Sequence, residues 1–591
     1  MFGKLTFLSA LSLAIAAPWT QSASSDYDYI VIGGGTSGLA VANRLSEDPN
    51  VNVLIVEAGG SVLNNPNVTN VNGYGRSFGT EIDWQYQSVN QTHAGNVRQV
   101  LRAGKALAGT SAINGMAYTR AEDVQIDAWE TIGNEGWTWK NLFPYYLKSE
   151  NFTRPTEIQL KLGASYKPVY HGEKGPLDVS FTKIESNNLT TYLNRTFEGM
   201  GLPWAEDIGG GKMRGFNIFP STVNPTEYVR EDAARAYYWP FESRKNLHVL
   251  LNTFANRIVW AEGAGGSAAT ASGVEVASKN GTVSVVKASK EVIVSAGALK
   301  SPAILELSGI GNPNVLKKHN IPVKVDLPTV GENLQDQTNS HMDAASNSSL
   351  SGGKPVAYPD IYDVLGDEAE AVAKKLRANL KKYAEETAKA NGNIMKVSDL
   401  ERLFEVQYDL IFKERTPVAE VLSYAAGKSL STEFWSLLPF SRGSVHIASS
   451  NPKQFPTINP NYFMFEWDVE SYVAVARYIR RSYESAPLNT LVKESTPGLK
   501  TIPQNASVEQ WKEWFFKGNY RSNFHPVGTA AMMPRAMGGV IDNRLKVYGT
   551  SNVRVVDASS LPYQVCGHLV STLYALAERA ADFIKEDVAS L

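Results

Sequence analysis

The sequence predicts a mixed α/β fold, α+β overall, and three features near its start carry this prediction. Residues 27–33 are a short apolar run that ends in glycines. Residues 39–45 follow with apolar side chains at helical spacing, and residues 51–56 form a second apolar run. A strand, a helix and a second strand in this order make a βαβ unit, the building block of a parallel sheet.

The turn between the first strand and the helix carries the pattern G-x-G-x-x-G, as Gly33-Gly34-Gly35-Thr36-Ser37-Gly38. Gly33 permits a tight turn, Gly35 lets a pyrophosphate approach the backbone, and Gly38 lets the helix pack on the strand. The N-terminus of the helix then faces the anion. Such glycines also occur in ordinary turns, but here the strand and the helix stand where binding requires them. We therefore predict a Rossmann-type dinucleotide site.

An acidic residue, Glu57, ends the second strand, 22 residues after Gly35. A carboxylate at this place accepts hydrogen bonds from a ribose of the adenosine half, and its charge repels a 2′-phosphate. NADP is therefore disfavoured, whereas the motif alone does not separate NAD from FAD.

The composition excludes several classes of partner. The chain has 591 residues, and its 57 Lys and Arg against 59 Asp and Glu give a formal net charge of −2. Without an excess of positive charge, binding to nucleic acid or to an anionic membrane is not expected. The eight histidines form no close-spaced ligand cluster and Cys566 is the only cysteine, so neither a metal site nor an intrachain disulfide is predicted.

The N-terminus has the features of a secretory signal. Lys4 precedes an apolar stretch at 5–17, which predicts a signal peptide over residues 1–22. After it, no apolar run reaches the roughly 18 residues that a membrane helix needs. Eight sequons agree with a secreted, N-glycosylated protein: Asn67, Asn90, Asn151, Asn188, Asn194, Asn280, Asn347 and Asn505. A secreted enzyme cannot count on a pool of free nicotinamide, so FAD is the preferred cofactor.

Further elements are predicted along the chain. Strand-like runs cover 247–251, 291–294 and 553–556, and the small residues of 261–273 predict a hairpin loop. Residues 366–391 predict an amphipathic surface helix with Asp367 as its N-cap. The last strand is followed by a helix from about 569 to 587.

Two longer stretches, 102–116 (RAGKALAGTSAINGM) and 297–311 (GALKSPAILELSGIG), resemble the two signature patterns of the glucose-methanol-choline (GMC) oxidoreductase family. Residues 331–336 (GENLQD) and 554–559 (RVVDAS) are similar to two more of its segments, and the resemblance runs from about Asp26 to the C-terminus. The first signature departs at Ala108, where the family usually has glycine. Its methyl group is expected either to narrow the flavin loop or to cost nothing, if φ is negative there.

Within the family, residues 70–75, 117–127 and 521–576 look like the FAD-dependent glucose dehydrogenases of filamentous fungi, although glucose oxidases share many positions. The resemblance implies a Rossmann-type FAD-binding domain made of 25–125, with a lid-like segment, 226–345 and 521–591. Interleaved with it is a substrate domain at 126–225 and 346–520, built on an antiparallel sheet and helices. It leaves the oligomeric state open, a monomer included.

The resemblance also assigns the cofactor site. With the glycine turn and Glu57, the residues implied to bind FAD are Gly33, Gly35, Thr36, Ser37, Gly38, Glu57, Arg102, Gly109, Thr110, Asn114, Gly115, Ala255, Asp557, Ala558, Leu569 and Val570. Asn114 is the candidate for a contact close to flavin N5, with a turn residue as its alternative role. The helix that begins near Leu569 is expected to stabilise negative charge on the flavin N1 and O2 region.

Oxidation of an alcohol by a flavin needs a general base beside the flavin, because a hydroxyl proton leaves while a hydride moves to N5. His525 and His568 match the family's paired active-site positions, and histidine suits the task because its unperturbed pKa lies near working pH. The resemblance implies that His525 is the base and that His568 orients the hydroxyl. The alternative for either residue is a hydrogen-bonded structural histidine.

The substrate implied is a sugar, probed by polar side chains that the wrong sugar would leave unpaired. The residues assigned to it are Tyr74, Glu433, Trp435, Arg521 and Asn523. For Arg521 and Glu433 the alternatives are an ion pair and a solvated acid. We therefore expect oxidation of glucose at C1 with a quinone or dye as electron acceptor. The open alternatives are a glucose oxidase that uses oxygen, an aryl-alcohol oxidoreductase, and an inactive flavin- or sugar-binding protein.

Overall fold

The computed structural model describes residues 27–262 and 268–589. The predicted signal peptide at 1–22 lies outside the described residues. Within them, no helix combines the length and the apolar character needed to cross a membrane.

The strands lie, in chain order, at β1 Tyr27–Ile32, β2 Val53–Val56, β3 Tyr86–Gln87, β4 Val100–Leu101, β5 Glu150–Phe152, β6 Leu177–Val179, β7 Gly215–Ile218, β8 Val223–Asn224, β9 Val229–Arg230, β10 Leu247–Leu250, β11 Thr253–Trp260, β12 Ala271–Ser278, β13 Val283–Val294, β14 Ile310–Gly311, β15 Val325–Asp326, β16 Thr338–Ser346, β17 Pro355–Tyr358, β18 Ala419–Ala426, β19 Ser429–Ser436, β20 Ser444–His446, β21 Thr457–Asn459, β22 Val492–Thr496, β23 Arg521–Ser522 and β24 Val553–Val555. The helices lie at α1 Thr36–Leu45, α2 Pro66–Thr69, α3 Asp123–Thr131, α4 Trp139–Ser149, α5 Glu157–Lys161, α6 Asn188–Gly199, α7 Ala233–Tyr237, α8 Ser301–Leu307, α9 Pro313–Lys318, α10 Ile361–Leu365, α11 Ala369–Ala390, α12 Val397–Phe412, α13 Glu466–Glu484, α14 Val508–Phe516 and α15 Val570–Ala589.

The first sheet has the order β10-β2-β1-β13-β12-β11, with β24 also paired to β13. Its part from β10 to β13, and β24, is parallel, whereas β12 and β11 extend it as an antiparallel hairpin. Strand β2 is buried along its whole length, as expected for a parallel strand covered on both faces. Helices α1 and α15 pack against each other beside this sheet. The predicted βαβ unit and the α/β class are confirmed.

The second sheet is antiparallel, with the order β22-β16-β19-β18-β17-β7 and with β23 paired to β16. The long helix α13 packs on β19 through a largely buried face. Three separate segments of the chain contribute strands to the first sheet: β1 with β2, β10 to β13, and β24. This agrees with the predicted interleaving. The predicted domain boundaries stay a prediction, and β16 and β23 join the second sheet although they fall in ranges assigned to the FAD-binding domain.

Two local predictions need correction. Helix α11 is preceded by a 3₁₀ turn, Gly366–Glu368, so that Glu368 and not Asp367 stands at its start. Glu368 already has helical φ and ψ, and a side-chain cap requires an extended residue at this position, so no cap forms. The predicted loop 261–273 does join β11 to β12 as a hairpin, but residues 271–273 belong to β12 and residues 263–267 lie outside the described residues.

Candidate active site

A cavity of about 490 Å³ lies between the two sheets. Its wall contains most of the residues that the sequence assigns to cofactor, catalysis and substrate: Gly33, Gly35, Thr36, Ser37, Glu57, Tyr74, Arg102, Gly109, Thr110, Asn114, Gly115, Ala255, Glu433, Trp435, Asn523, His525, Asp557, Ala558, His568, Leu569 and Val570. Gly38 and Arg521 do not line this cavity. The fold therefore brings together, in one cavity wall, segments that are several hundred residues apart in the sequence.

The glycine turn at one end of the cavity is too crowded for side chains. A Cβ on Gly33, whose φ is +105°, would lie 2.4 Å from the carbonyl oxygen of Ser295, and one on Gly38 would lie 2.1 Å from the carbonyl oxygen of Gly33. Gly38 therefore serves helix packing and does not face the cavity. Gly35 precedes the first turn of α1, and a Cβ on Gly109 would come within 2.7 Å of its Cα. Two backbone loops thus meet as a cradle with no side chain between them, which suits a pyrophosphate.

The Glu57 carboxylate closes this end of the cavity. It accepts hydrogen bonds from the backbone N–H of Gly34 at 2.9 Å and of Gly59 at 2.7 Å. Burial raises its pKa to about 7, although these hydrogen bonds act in the opposite direction. The carboxylate therefore ties the glycine turn to the end of β2, and its contact with a ribose stays a prediction.

Asp557 and Asn114 are held in place by neighbouring backbone and side chains. Asp557 accepts hydrogen bonds from the N–H of Gly297 at 2.8 Å and from Ser559, which joins the end of β24 to the loop after β13. The side-chain oxygen of Asn114 accepts from the Arg230 guanidinium at 2.7 Å. Its amide nitrogen makes no hydrogen bond within the described part of the chain, so this donor is available to a ligand.

Ala108, the departure from the first signature, has a φ of +106° and a fully buried side chain. Its methyl group is absent from the cavity wall. The expectation of a narrower flavin loop stays a prediction. The expectation of no cost is wrong, because φ is positive and lies in the region that favours glycine. The substitution therefore strains the turn before the 3₁₀ helix Gly109–Ala112.

The two predicted catalytic histidines face each other, with ring centroids 5.5 Å apart and ring planes at 79°. Nδ1 of His525 lies 2.8 Å from the side-chain oxygen of Gln337 and 3.1 Å from the amide nitrogen of Asn523. The amide of Gln337 is oriented by its own donation to the carbonyl oxygen of Leu437. The shorter contact, to an acceptor, places the proton on Nδ1 and leaves Nε2 free to accept a proton.

Both histidines are held neutral. Burial and, second, the positive charge of Arg521 lower the pKa of His525 to about 4. Burial also moves the pKa of His568 well below its ordinary value, with His525 and Lys354 contributing. A neutral imidazole is the form that accepts a proton, so the pair is suited to general-base chemistry.

A buried acid, Glu420, stands beside His568 and was missed by the sequence analysis. Its carboxyl oxygen lies 3.5 Å from Nδ1 of His568, and it pairs in register with Trp435 across β18 and β19. Burial raises its pKa well above the ordinary value, so the group is a neutral acid. No motif surrounds Glu420 in the sequence, and only the inward face of β18 could have pointed to it.

Three of the predicted substrate residues, Arg521, Glu433 and Asn523, belong to a polar chain beside the cavity. Arg521 pairs with Glu433 at 3.0 Å, and Glu433 also accepts from Asn339 at 3.3 Å. Asn339 in turn donates to the side-chain oxygen of Asn523 at 2.9 Å. Arg521 is therefore an ion-pair partner, which was the alternative to its predicted contact with substrate. Glu433 and Asn523 face the cavity. Trp435 is buried, with its ring 5.7 Å from that of His568.

These residues fit FAD. One cavity contains the glycine cradle with its helix N-terminus, the Glu57 carboxylate and the paired histidines. Gly297 adds open space, because no atom lies within 4 Å of the position that its Cβ would take. In the described residues no group of His, Cys, Asp or Glu is placed to hold a metal ion.

A parallel sheet with a dinucleotide-binding turn, joined to an antiparallel sheet by a cavity whose wall holds two neutral histidines, defines an FAD-dependent oxidoreductase. Residues 27–339 and 439–577 match the N-terminal and C-terminal models of GMC oxidoreductase. The chain belongs to this family, as the resemblance implied.

Several known proteins are similar over nearly the whole chain. The glucose oxidase-like protein fsoC of Humicola fuscoatra is 44% identical over 98% of this chain and 99% of its own length. A glucose oxidase of Penicillium chrysogenum is 35% identical, over 96% of this chain and 94% of its own. Among solved structures, an FAD-dependent oxidoreductase from Chaetomium thermophilum has a TM-score of 0.87 at 28% identity, covering 95% of this chain and 100% of that one. A fungal aryl-alcohol oxidase has a TM-score of 0.84 at 27% identity, with coverages of 95% and 99%.

Proposed function

We propose that this protein oxidises the C1 hydroxyl of D-glucose to glucono-1,5-lactone, and that a quinone or another acceptor than oxygen then takes the electrons. The observation that carries the proposal is the free Nε2 of His525, which faces the cavity beside the polar chain from Asn523 to Arg521. Bound FAD supplies the acceptor for the hydride that leaves C1.

The chain's own residues perform the remaining tasks. His525 takes the hydroxyl proton on Nε2, while His568 orients the hydroxyl. Asn523 and Glu433 offer a donor and an acceptor to the ring hydroxyls, so that a sugar with the wrong configuration leaves buried polar groups unpaired. The first turn of α15 directs its free N–H groups toward charge that builds up nearby during the reaction.

The names of the relatives favour a second candidate, a glucose oxidase that returns its electrons to oxygen. The similar aryl-alcohol oxidase favours a third, with an apolar alcohol as substrate. Against the third stands the polar character of this part of the wall, where Glu433 and Asn523 face the cavity and give an apolar alcohol no apolar surface to bury.

Anaerobic mixing of the holoenzyme with sugars and aryl alcohols tests the substrate. We expect glucose to bleach the flavin absorbance, and bleaching by aryl alcohols alone would contradict the proposal. Reoxidation of the reduced enzyme by oxygen and by a quinone then tests the acceptor. Fast turnover with oxygen and stoichiometric peroxide would assign a glucose oxidase instead.

His525→Ala removes the proposed base. We expect this variant to retain FAD but to reduce it with glucose at least about 10²-fold more slowly, because a positioned base contributes at least that much. Stopped-flow absorbance measures the rate. The matched control is His341→Ala, which removes an exposed histidine of β16 and leaves the rate unchanged. A near-normal rate in His525→Ala would remove His525 from the mechanism.

We further propose that the protein is secreted and N-glycosylated. The predicted signal peptide and the sequons support this, together with the lack of a need for free nicotinamide when FAD stays bound.

A further inference from the structure

Lys354 lies in the wall of the same cavity, immediately before β17, and no motif pointed to it. Solvent reaches its side chain, yet the surrounding protein desolvates the ammonium and lowers its pKa, as expected for a group that stands in a recess. Its charge also contributes to the lowered pKa of His568. The ammonium is therefore part of the substrate end of the cavity.

Lys354 differs from the other cationic side chains in the cavity wall, each of which has a protein partner. Arg102 forms an ion pair with Asp83, and Lys300 donates to the carbonyl oxygen of Pro452 at 2.8 Å. Lys354 makes no hydrogen bond or ion pair with any residue of the ranges that the structure describes.

The carboxyl groups of this recess do not neutralise Lys354. Glu433 is already paired with Arg521, and its oxygens also accept hydrogen bonds from Asn339 and, at 3.3 Å, from the Tyr424 hydroxyl. Glu420 is held as a neutral acid by burial. Because Glu433 is paired with Arg521, its charge offsets that of Lys354 only in part, and the buried guanidinium of Arg230 adds a second positive charge nearby. The recess is therefore positive at Lys354.

We propose that Lys354 is a specificity-determining residue that pairs with a carboxylate of the substrate, so that the protein prefers a hexuronate to a neutral hexose. This inference rests on the proposed function, because a hexuronate has the same reacting centre. The C1 hydroxyl proton passes to His525, the C1 hydride and its electron pair pass to FAD, and the lactone remains. A carboxylate gives Lys354 a charge-assisted hydrogen bond, about twice as strong as the neutral one that a hydroxyl offers.

Anaerobic stopped-flow reduction of the holoenzyme by D-glucose and by D-glucuronate tests the inference. We expect the second-order rate constant of flavin reduction to be about 10- to 100-fold higher for glucuronate, the range expected for a partly desolvated ion pair. Lys354→Met, of similar length, should abolish this advantage and change glucose reduction much less. Lys354→Arg keeps the charge and should restore the preference for glucuronate.

The matched control is Lys428→Met, which removes an exposed lysine from the turn between β18 and β19 and should leave the preference as in the unmodified protein. Reduction by glucose without any advantage for glucuronate would overturn the role of Lys354 and leave the proposed function standing. The same holds for an advantage that persists in Lys354→Met. A flavin that neither sugar reduces would overturn the proposed function, and the inference with it.

Discussion

His525 is neutral over most of the pH range for two reasons, its burial and the nearby charge of Arg521. Burial disfavours the imidazolium, and the guanidinium of Arg521 repels it, which together hold the pKa at about 4. An exposed histidine titrates near 6.5. The base therefore stays in its reactive form in mildly acidic solution, where an ordinary histidine would already carry a proton.

The acid limb of the pH profile reports this pKa. Because the unprotonated form is the reactive one, we expect kcat/KM for glucose to be constant above pH 5 and to fall as the pH approaches about 4. Arg521→Gln removes the repelling charge, so the limb should move to higher pH, whereas Arg521→Lys should keep it. A limb near pH 6.5 in the unmodified protein would contradict the assignment of His525 as a buried base.

Gln337 sets which nitrogen of His525 carries the proton. Gln337→Leu removes the acceptor at Nδ1, and we expect flavin reduction to slow about 10- to 100-fold, by analogy with groups that orient metal-ligating histidines. Gln337→Glu retains an acceptor and adds a negative charge, which raises the pKa of His525 and moves the acid limb upward. An unchanged rate in Gln337→Leu would mean that Gln337 does not set the tautomer of His525 and that the contact with Asn523 sets it instead.

At the scale of one element, the turn before the 3₁₀ helix Gly109–Ala112 carries strain that the family's usual glycine avoids. Ala108→Gly removes the backbone strain of a non-glycine residue at positive φ. Glycine also increases the entropy of the unfolded chain, which offsets part of this effect, so the free energy of unfolding should rise by about 1 kcal/mol. We expect a higher midpoint of denaturant unfolding at unchanged FAD content. Ala112→Gly, in the same 3₁₀ helix and equally buried, should lower the midpoint. A lower midpoint in Ala108→Gly would contradict the strain.

The elements differ in how well the sequence predicts them. Strand β1, helix α1 and strand β2 follow from one local pattern, because period, glycines and acid all lie within about 30 residues. The start of α11 does not, because the glycine that ends α10 leads into a 3₁₀ turn, and this depends on how the two helices pack. A single plausible cap residue, Asp367, is not sufficient to define a helix start.

At the scale of the whole molecule, the motif-bearing half of the site was predictable and the other half was not. Most of the residues predicted to bind the cofactor, and both histidines, lie in segments with recognisable patterns, and the structure places all of the predicted cofactor residues except Gly38 in the wall of one cavity. Gln337 and Lys354 immediately precede strands β16 and β17 of the second sheet, and Glu420 lies on β18. No motif or spacing in the sequence marks any of the three. Their roles arise from burial and from charges that only the fold brings together.

The surface of the folded molecule also decides which sequons can carry a glycan. The asparagines of six are exposed: Asn67, Asn90, Asn188, Asn280, Asn347 and Asn505. Asn151 and Asn194 are instead half-buried, and the side-chain oxygen of Asn194 is fully buried. We therefore expect glycans only at the exposed six.

Peptide mass mapping of the protein, expressed through a glycosylating secretory pathway and deglycosylated enzymatically in heavy-oxygen water, measures occupancy. Each released glycan leaves an isotope-marked aspartate. Thr282→Ala destroys the sequon of the exposed Asn280 and should reduce the mass by one glycan. Thr153→Ala destroys the sequon of Asn151 in the same way and should leave the glycan mass unchanged. A glycan found on Asn151 would contradict the expectation that only exposed asparagines carry glycans.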